Sequence, residues 1–405
     1  MSIRTFAARR PEAATRLGVW LLGLGETIVW ACLLYVFAAL LLTWEMSLGW
    51  AKTDLTLGLT TAILAAAVTA PVAGRLIDAG HGRWTLGLGA LAGALGLAAL
   101  STVTTPTGFV AVWAWIGVAQ AGCLYEACFA VVTRARGEAA RPAITRITLL
   151  GGFASSICFV TTAALTEWTD WRGVLLIFAA AAALIGAPAL YAGAALLEGA
   201  AGDAAKPTPK AQNRAALKAA LRRPTFWLIA LAFPLMALNH GILLNHILPL
   251  LAERGLAKQA AIAVASTVGV MQVAGRVALM LLEGRTNPLA MAAIAFAGVT
   301  LSSLILLASG ASAPLAFAFA ALQGAAYGLT SILKPAITAQ FLGRTGFGAI
   351  AGWLALPYLA AYALAPHLGA LIWEAGGYAL VVPMTAGLAA LGAVCVAGLA
   401  AAGRR

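Results

Sequence analysis

Charged residues are scarce in this sequence: Asp, Glu, Lys and Arg together make up 10% of its 405 residues. A typical soluble domain has about 25%. Hydrophobic residues reach 62%, and the mean hydropathy is +0.92. This composition excludes a water-soluble globular protein and identifies an integral membrane protein.

Chemical motifs are equally scarce. The sequence has no Gly-x-x-x-x-Gly-Lys-[Ser/Thr] motif, so ATP is not expected to drive the protein directly. The five cysteines lie inside apolar runs without a Cys-x-x-Cys spacing, which favours buried thiols over disulfides or a metal site; they are Cys32, Cys123, Cys128, Cys158 and Cys395. We expect no metal and no other cofactor. Because no cluster of catalytic groups lies on one membrane face, we do not expect an enzyme.

The excess of basic residues has two explanations. The net charge is +12 and the pI is about 10.0. Such a charge is typical of nucleic-acid binding, but membrane proteins also concentrate Lys and Arg in their cytoplasmic loops. The distribution described below favours the second explanation, so nucleic acid is not an expected partner. The first apolar run, Leu17 to Leu42, is too long for a signal-peptide core and is predicted to be a retained helix.

Twelve apolar runs are near the length of about 20 residues that crosses a bilayer. The predicted helices 1 to 12 cover residues 17–43, 53–76, 84–104, 108–133, 143–166, 171–197, 224–250, 258–282, 286–309, 313–340, 346–373 and 376–402. Between helices 6 and 7 the composition becomes basic and proline-containing, and Gln212–Arg223 there is predicted to form a basic amphipathic helix. The predicted fold class is an all-α membrane protein. Its predicted domains are a six-helix bundle over 1–198, a cytoplasmic linker over 199–223 and a second six-helix bundle over 224–405.

The loop charges predict the orientation. Twelve helices place both termini on the side of the linker, which carries 20 of the 26 basic residues: Arg4, Arg9, Arg10, Arg16, Arg75, Arg83, Arg134, Arg136, Arg141, Arg146, Lys206, Lys210, Arg214, Lys218, Arg222, Arg223, Arg285, Arg344, Arg404 and Arg405. The opposite side has 4, namely Lys52, Arg172, Arg254 and Lys258. The positive-inside rule therefore places the linker and both termini in the cytoplasm.

The two halves resemble each other internally. Gly49-Trp50-Ala51-Lys52 opens helix 2, and Gly255-Leu256-Ala257-Lys258 opens helix 8 at an offset of 206. Gln120 and Tyr125 in helix 4 correspond to Gln323 and Tyr327 in helix 10. Parallel repeats of six helices are typical of transporters in which two bundles rock around a site near the middle of the membrane.

A short charged turn, Gly74-Arg75-Leu76-Ile77-Asp78-Ala79-Gly80-His81-Gly82-Arg83, joins helices 2 and 3. Its glycines allow the helix ends to approach closely. Asp78 can pair with Arg75 or Arg83, or lie at a helix N-terminus. The turn resembles the loop between helices 2 and 3 of the major facilitator superfamily, G-x-L-x-D-R-x-G-R-[RK]. Ala79 departs from this pattern, and the Asp-to-Gly spacing is one residue longer.

The superfamily resemblance covers essentially the whole chain and implies two pseudo-symmetric six-helix bundles. It also implies that the acid Asp78 caps the N-terminus of helix 11, near Gly346. More narrowly, the chain resembles the oxalate/formate and monocarboxylate branch at Gly49-Trp50-Ala51-Lys52-Thr53, at Gly122-x-x-Tyr125 and at Gln272-x-x-x-Arg276. Ala127 stands where that branch usually has proline, and Gln272 replaces an acid. The proline-containing glycine motif of drug/proton antiporters is missing from helix 5.

Polar residues inside the predicted helices are costly in lipid and are candidate functional residues. Desolvation favours the protonated form of Glu26 in helix 1, so it can carry a proton, although a buried structural hydrogen bond is the alternative. His240 in helix 7 is a second proton-coupling candidate, with a neutral core histidine as the alternative. Arg276 needs an anion, either a substrate or a protein carboxylate such as Glu283 or Asp78. Lys334 is expected to snorkel towards the cytosol.

These observations predict a secondary active transporter that moves a small, monocarboxylate-like organic anion by alternating access, coupled to protons. An exporter of drugs or amphipathic metabolites is the alternative. The predicted substrate-binding residues are Arg276, Gln272, Tyr35, Tyr125, Asn239, His246, Gln323, Tyr327 and Tyr358, and the predicted gating residues are Gly74, Asp78, Arg83, Glu126 and Arg134. The expected partners are the substrate, protons and the lipid bilayer of the inner membrane, and the chain is expected to be a monomer.

Overall fold

The part of the chain that the structure describes consists mostly of helices. A computed structural model describes residues 7, 9–50, 52–202, 209–282 and 287–402, and these contain α, π and 3-10 helices without a strand. Several charges used above lie outside the described residues; they are Arg4, Lys206, Glu283, Arg285, Arg404 and Arg405, together with the side chains of Lys52, Lys210 and Lys258.

Nine helical runs among the described residues are long and apolar enough to cross a membrane. Three of them, Asp54–Leu100, Pro106–Leu165 and Phe347–Ala402, have 47, 60 and 56 residues. A single crossing takes about 20 residues, so each of these runs is long enough for two. Each also contains a glycine with positive φ, at Gly80, Gly137 and Gly377, where the chain can turn. The nine runs therefore correspond to the twelve predicted helices.

The first six membrane helices, α1 to α6, include two π-helical turns and two interruptions. Their bounds are α1, Pro11–Trp30, Ala31–Tyr35 (π) and Val36–Leu48; α2, Lys52–Leu76; α3, Gly82–Leu100; α4, Pro106–Cys123 and Tyr125–Arg136; α5, Ala140–Gly151 and Ala154–Leu165; and α6, Trp171–Ala181, Ala182–Gly186 (π) and Ala187–Ala201. A third π-helical turn, Ile77–His81, joins α2 to α3.

The linker contains a helix, Lys210–Leu221, which overlaps the predicted amphipathic segment. The later membrane helices are α7, Pro224–Glu253; α8, Lys258–Leu281; α9, Pro288–Ala308; and α10, Ala313–Gly328 and Thr330–Leu342. The last run, Phe347–Ala402, breaks at Gly376 and Gly377 and so forms α11 and α12.

The chain divides into two compact units. The first unit contains Met1–Lys218 and Arg344–Leu356, and the second contains Ala219–Gly343 and Pro357–Arg405. The beginning of α11 thus belongs to the first unit. The predicted domain bounds placed it in the second bundle, 224–405.

Glycine allows the closest helix contacts in each unit. In the first unit, a Cβ on Gly117 of α4 would lie 2.0 Å from the carbonyl oxygen of Ala62 on α2. In the second unit, a Cβ on Gly324 of α10 would lie 2.3 Å from the carbonyl oxygen of Val268 on α8. Small residues at such crossings let two backbones meet, which is how helices gain packing energy in lipid.

Candidate functional site

Glu26 is the fully buried carboxyl of the first unit. Its exposed fraction is 0%. The indole Nε1 of Trp30, one turn later on α1, donates a hydrogen bond of 3.1 Å to Glu26 Oε2. Glu26 Oε1 has no hydrogen-bond partner among the described residues. The thiols of Cys123 and Cys128 on α4 are close enough to interact with the carboxyl. The site can therefore hold a proton, and one of its oxygens is available for a further contact.

Two interrupted helices meet beside Glu26. The π-turn Ala31–Tyr35 begins directly after Trp30. Leu124 of α4 is extended, with φ −86° and ψ −176°, so α4 ends at Cys123 and restarts at Tyr125. Gln120 connects the two interruptions: its side chain donates to the carbonyl of Leu33 at 2.7 Å, and its own carbonyl accepts from Leu124 N–H at 2.9 Å. Such irregular turns occur often at functional sites.

Aromatic rings extend this site from α1 to α4. The ring centroid of Trp30 lies 4.8 Å from that of Tyr125 and 6.0 Å from that of Tyr35. Tyr125 also stacks on Phe129, at 4.8 Å and 16°. Tyr35 and Tyr125, both predicted to bind substrate, are half-buried and belong to one aromatic cluster in the first unit.

A second polar cluster joins four helices of the second unit. His240 of α7 stacks on Tyr327 of α10, with ring centroids 3.5 Å apart and an interplanar angle of 10°. The amide nitrogen of Gln272 on α8 lies 3.4 Å from His240 Nε2. The hydroxyl groups of Tyr327 and Tyr358, the latter on α11, are 3.3 Å apart. Four of the predicted residues thus form one continuous chain of contacts.

Lys334 belongs to the same cluster. Its ammonium group lies 3.8 Å from the centroid of the Tyr358 ring, and the residue is 8% exposed. The expectation that Lys334 snorkels to the cytosol is wrong, because the stem of the side chain and its charge are both buried. A cation over a tyrosine face is attracted by the ring quadrupole, and this attraction reaches about 2 kcal/mol when water is excluded.

Arg276 of α8 contacts the interruption of α10. Ile332 N–H bonds to Leu329 O, so the carbonyl of Gly328 lacks that helical donor and accepts from Arg276 Nε at 3.0 Å. Ser331 Oγ also donates to this carbonyl, at 3.4 Å. Of the predicted carboxylate partners of Arg276, Glu283 lies outside the described residues, and Asp78 bonds elsewhere, as given below.

Asn239 and Gln323 belong to a fully buried network. Asn239 Nδ2 donates to Ser303 Oγ at 3.0 Å and to the carbonyl of Thr385 at 2.9 Å, and its Oδ1 accepts from Gln323 Nε2 at 2.9 Å. Ser302 Oγ donates to Gln323 Oε1 at 2.5 Å. The network joins α7, α9, α10 and α12, which gives both amides a structural role. Their contact with substrate stays a prediction.

Replacing Asn239 by alanine should lower the melting temperature of the detergent-purified protein by several degrees. The change leaves the buried amide of Gln323 without an acceptor, and an unsatisfied buried group costs about 1–3 kcal/mol. Asn245→Ala is the matched control, because Asn245 Nδ2 bonds locally, to the Gly241 carbonyl of the same helix. Equal melting temperatures for the two variants would mean that the network does not stabilise the unit.

His246 lies in different surroundings from His240. Its Nδ1 is 3.2 Å from the hydroxyl of Tyr378, and its Nε2 is 3.2 Å from the carbonyl of Pro366. His240, in contrast, is buried, and its Nδ1 has no hydrogen-bond partner in the described part of the chain. Of the two histidines, His240 is therefore the one with an unused polar atom.

The turn between α2 and α3 binds the beginning of α11. Asp78 is 3% exposed and accepts hydrogen bonds from the N–H groups of Gly348, at 2.9 Å, and Ala349, at 2.8 Å. A Cβ on Gly74 would lie 1.9 Å from the carbonyl oxygen of Gly348, so only glycine fits. This is the capping contact that the family resemblance implied, two residues beyond Gly346.

The other predicted gating residues surround this contact. Arg134 Nη1 donates to the carbonyl of Ile77 at 2.8 Å, and its charge acts on Asp78. Arg83 is half-buried, with its guanidinium carbon 6.0 Å from the ring centroid of Trp84. Glu126 is half-buried in the first turn after the interruption of α4. Gating by all five residues stays a prediction.

Comparison with known proteins identifies the family. The family model described as Major Facilitator Superfamily matches residues 17–308. The chain belongs to the Major Facilitator Superfamily. It is a multi-pass membrane protein with the fold of that superfamily, and membership indicates a transporter rather than an enzyme. No curated protein matches the sequence significantly.

Solved structures of this superfamily share the fold at low sequence identity. The transporter FucP in its outward conformation is 15% identical with a TM-score of 0.75, covering 95% of this chain and 98% of FucP. The human organic anion transporter MFSD10 (TETRAN) is 17% identical with a TM-score of 0.66, covering 96% and 99%. The proton:xylose symporter XylE is 13% identical with a TM-score of 0.63, covering 94% and 95%.

Lys334 and Trp30 belong to these clusters but were not among the predicted site residues. Lys334 was visible as a cation within an apolar run, which is by itself a sign of function in a membrane helix. Trp30 is an aromatic residue in the middle of predicted helix 1. Its spacing of four residues from Glu26 places both on one helix face, which is the signal that could have identified it.

Proposed function

We propose that this chain is a secondary active transporter that moves a small organic anion, of monocarboxylate type, across the inner membrane by alternating access. We further propose that transport is coupled to protons and that both termini are cytoplasmic.

The observation that carries the proposal is the positive charge inside the second unit. Lys334 and Arg276 are buried or half-buried in membrane helices, beside the contact chain of Gln272, His240, Tyr327 and Tyr358. Cationic side chains inside membrane helices are costly and are functional candidates by default, and the ligand that they attract is an anion.

Proton coupling is supported by Glu26 and His240. Each is buried, and each has one polar atom without a partner among the described residues. A carboxyl in such surroundings alternates between a neutral form in the closed interior and a charged form when water enters, which is the property that a proton carrier needs. XylE and an E. coli fucose:proton symporter, both similar in fold, are described as proton symporters.

The similar structures differ in their solutes. MFSD10 is described as an organic anion transporter, whereas the proton-coupled neighbours carry xylose and fucose. The buried lysine and arginine favour the organic anion. The alternative, a proton-driven exporter of drugs or amphipathic metabolites, is favoured by the aromatic cluster of Trp30, Tyr35 and Tyr125 in the first unit.

Transport in proteoliposomes tests the proposal. We expect uptake of labelled lactate or oxalate to rise when the outside is more acidic than the lumen, and efflux of a cationic dye to stay at the level of empty vesicles. Dye transport without anion uptake would overturn the proposal in favour of the exporter.

Replacing Arg276 by alanine should abolish the anion uptake. The guanidinium both supplies positive charge and holds the Gly328 carbonyl at the interruption of α10. Arg254→Ala is the matched control, since Arg254 also donates to helix carbonyl and hydroxyl groups, those of Leu306 and Ser309. We expect the control to retain at least half of the uptake. Anion uptake by Arg276→Ala at the level of Arg254→Ala would contradict the assignment.

A further inference from the structure

Trp30 lies between the carboxyl of Glu26 and the interruption of α4. Its indole N–H donates to Glu26 Oε2 at 3.1 Å, and its ring contacts Tyr125, the first residue after the interruption. Trp30 is also the last α-helical residue before the π-turn of α1.

We propose that Trp30 is the coupling residue of the transporter: it passes the protonation state of Glu26 to Tyr125 and to the interruption of α4 at Leu124. This inference rests on the proposed function, because it assumes that Glu26 carries the coupled proton.

The hydrogen bond gives Trp30 its sensitivity to the proton. A donor bonded to an ionised carboxylate forms a shorter and stronger bond than one bonded to a neutral carboxyl. Loss of the proton from Glu26 therefore draws the indole towards the carboxylate. Because the same ring rests on Tyr125, the movement is transmitted to the start of the second α4 segment.

Other groups also face Glu26. Helix α4 presents the thiols of Cys123 and Cys128. Near the carboxyl, α5 presents Leu150 against Gly23, and α6 presents Leu190 against Gly25. The leucines cannot respond to a change of charge. The Cys128 thiol interacts with the carboxyl and lies in the second α4 segment, so it forms a parallel route, and the double-mutant cycle below separates this route from that of Trp30.

Hydrogen bonds link the residues of the α4 interruption to one another and to the π-turn of α1. Gln120 bonds to the π-turn through its side chain and to Leu124 N–H through its carbonyl. Ala127 and Cys128 N–H both bond to the carbonyl of Leu124, at 3.0 and 3.1 Å. A displacement of Tyr125 therefore acts on backbone hydrogen bonds that also hold the π-turn after Trp30.

A double-mutant cycle with Glu26→Gln and Trp30→Phe tests the inference without any substrate. Glutamine imitates the protonated carboxyl, and phenylalanine keeps a ring while removing the N–H donor. Hydrogen–deuterium exchange is measured at one pH for the peptide that covers residues 124–128. We expect Glu26→Gln to change this exchange roughly tenfold, about the effect of one hydrogen bond, in the presence of Trp30 and by less than twofold in Trp30→Phe. Equal effects in both backgrounds would overturn the inference.

Transport provides the second readout, with labelled lactate as the probe. In Trp30→Phe we expect the ratio of pH-driven lactate accumulation to lactate counterflow to fall about tenfold, with a flattened pH profile. Trp115→Phe is the matched control, because Trp115 of the same unit also donates its indole N–H to a single acceptor, the carbonyl of Ala92. A Trp30→Phe variant that accumulates lactate like Trp115→Phe would overturn the inference and leave the proposed function intact.

If wild type moves neither lactate nor oxalate, the proposed function fails. The hydrogen–deuterium exchange cycle still decides whether Trp30 links Glu26 to α4.

Discussion

Replacing Lys334 by methionine should lower the uptake of labelled lactate or oxalate about a hundredfold or more. Two unit charges 4 Å apart attract each other by about 4 kcal/mol at an effective dielectric constant of about 20. Each 1.4 kcal/mol is about a factor of ten in binding. Methionine is close to lysine in length and flexible enough to fill the space beside Tyr358, so the fold should be kept.

Two further variants show whether the charge or the side-chain volume matters. Lys334→Arg keeps the charge and the contact with the Tyr358 ring, so it should retain part of the uptake. Lys218→Met removes an exposed lysine of the linker helix and should have little effect. Lactate uptake by Lys334→Met at the level of Lys218→Met would mean that this ammonium group is not the counter-charge of the substrate.

Composition predicted the helical fold because few backbone structures are stable in lipid. An apolar run that crosses the membrane must satisfy its own backbone, so about 20 apolar residues predict a helix. Helix ends were less predictable. Helix 1 was expected to start at residue 17 and begins at Pro11, and helix 7 was expected to end at residue 250 and extends to Glu253. Flanking polar residues can continue a helix into the interface, so hydropathy alone does not mark its end.

The internal irregularities could not be predicted from residue patterns. Leu124 is an ordinary apolar residue, and nothing in its local sequence requires an extended backbone. The interruption depends on contacts made across the unit, such as the hydrogen bonds of Gln120 with α1. In the same way, the buried position of Lys334 depends on the ring of Tyr358, which lies 24 residues later in the chain.

Sequence reasoning identified the loop between α2 and α3 but left three alternatives open for Asp78. Pairing with Arg75 or Arg83 and capping of a helix were each compatible with the residue pattern. The structure places the carboxylate at the N-terminus of α11, some 270 residues away in the chain, with Arg134 nearby. Such a contact has no local signature, and only the family resemblance indicated it.

Replacing Asp78 by asparagine should speed hydrogen–deuterium exchange of Gly348 and Ala349 about a hundredfold. Each N–H now donates to a buried, charged oxygen, and a hydrogen bond to a charged group contributes about 1.5–3 kcal/mol. Asparagine offers one acceptor oxygen and turns the other position into an N–H donor, which faces a backbone N–H and repels it. At least one bond and the favourable charge at the helix N-terminus are therefore lost.

Asp170→Asn is the matched control for this experiment. Asp170 caps α6 by accepting from Gly173 N–H at 3.0 Å, but it does so at the exposed end of a helix. Its replacement should affect only the first turn of α6, because water can satisfy the exposed N–H group.

If Asp78→Asn leaves the exchange of Gly348 and Ala349 unchanged, the carboxylate does not hold the start of α11. If exchange rises while the transport rate stays constant, the contact is structural and the predicted gating role is wrong. A rise in exchange together with an altered transport rate is the result that a gate at this position requires.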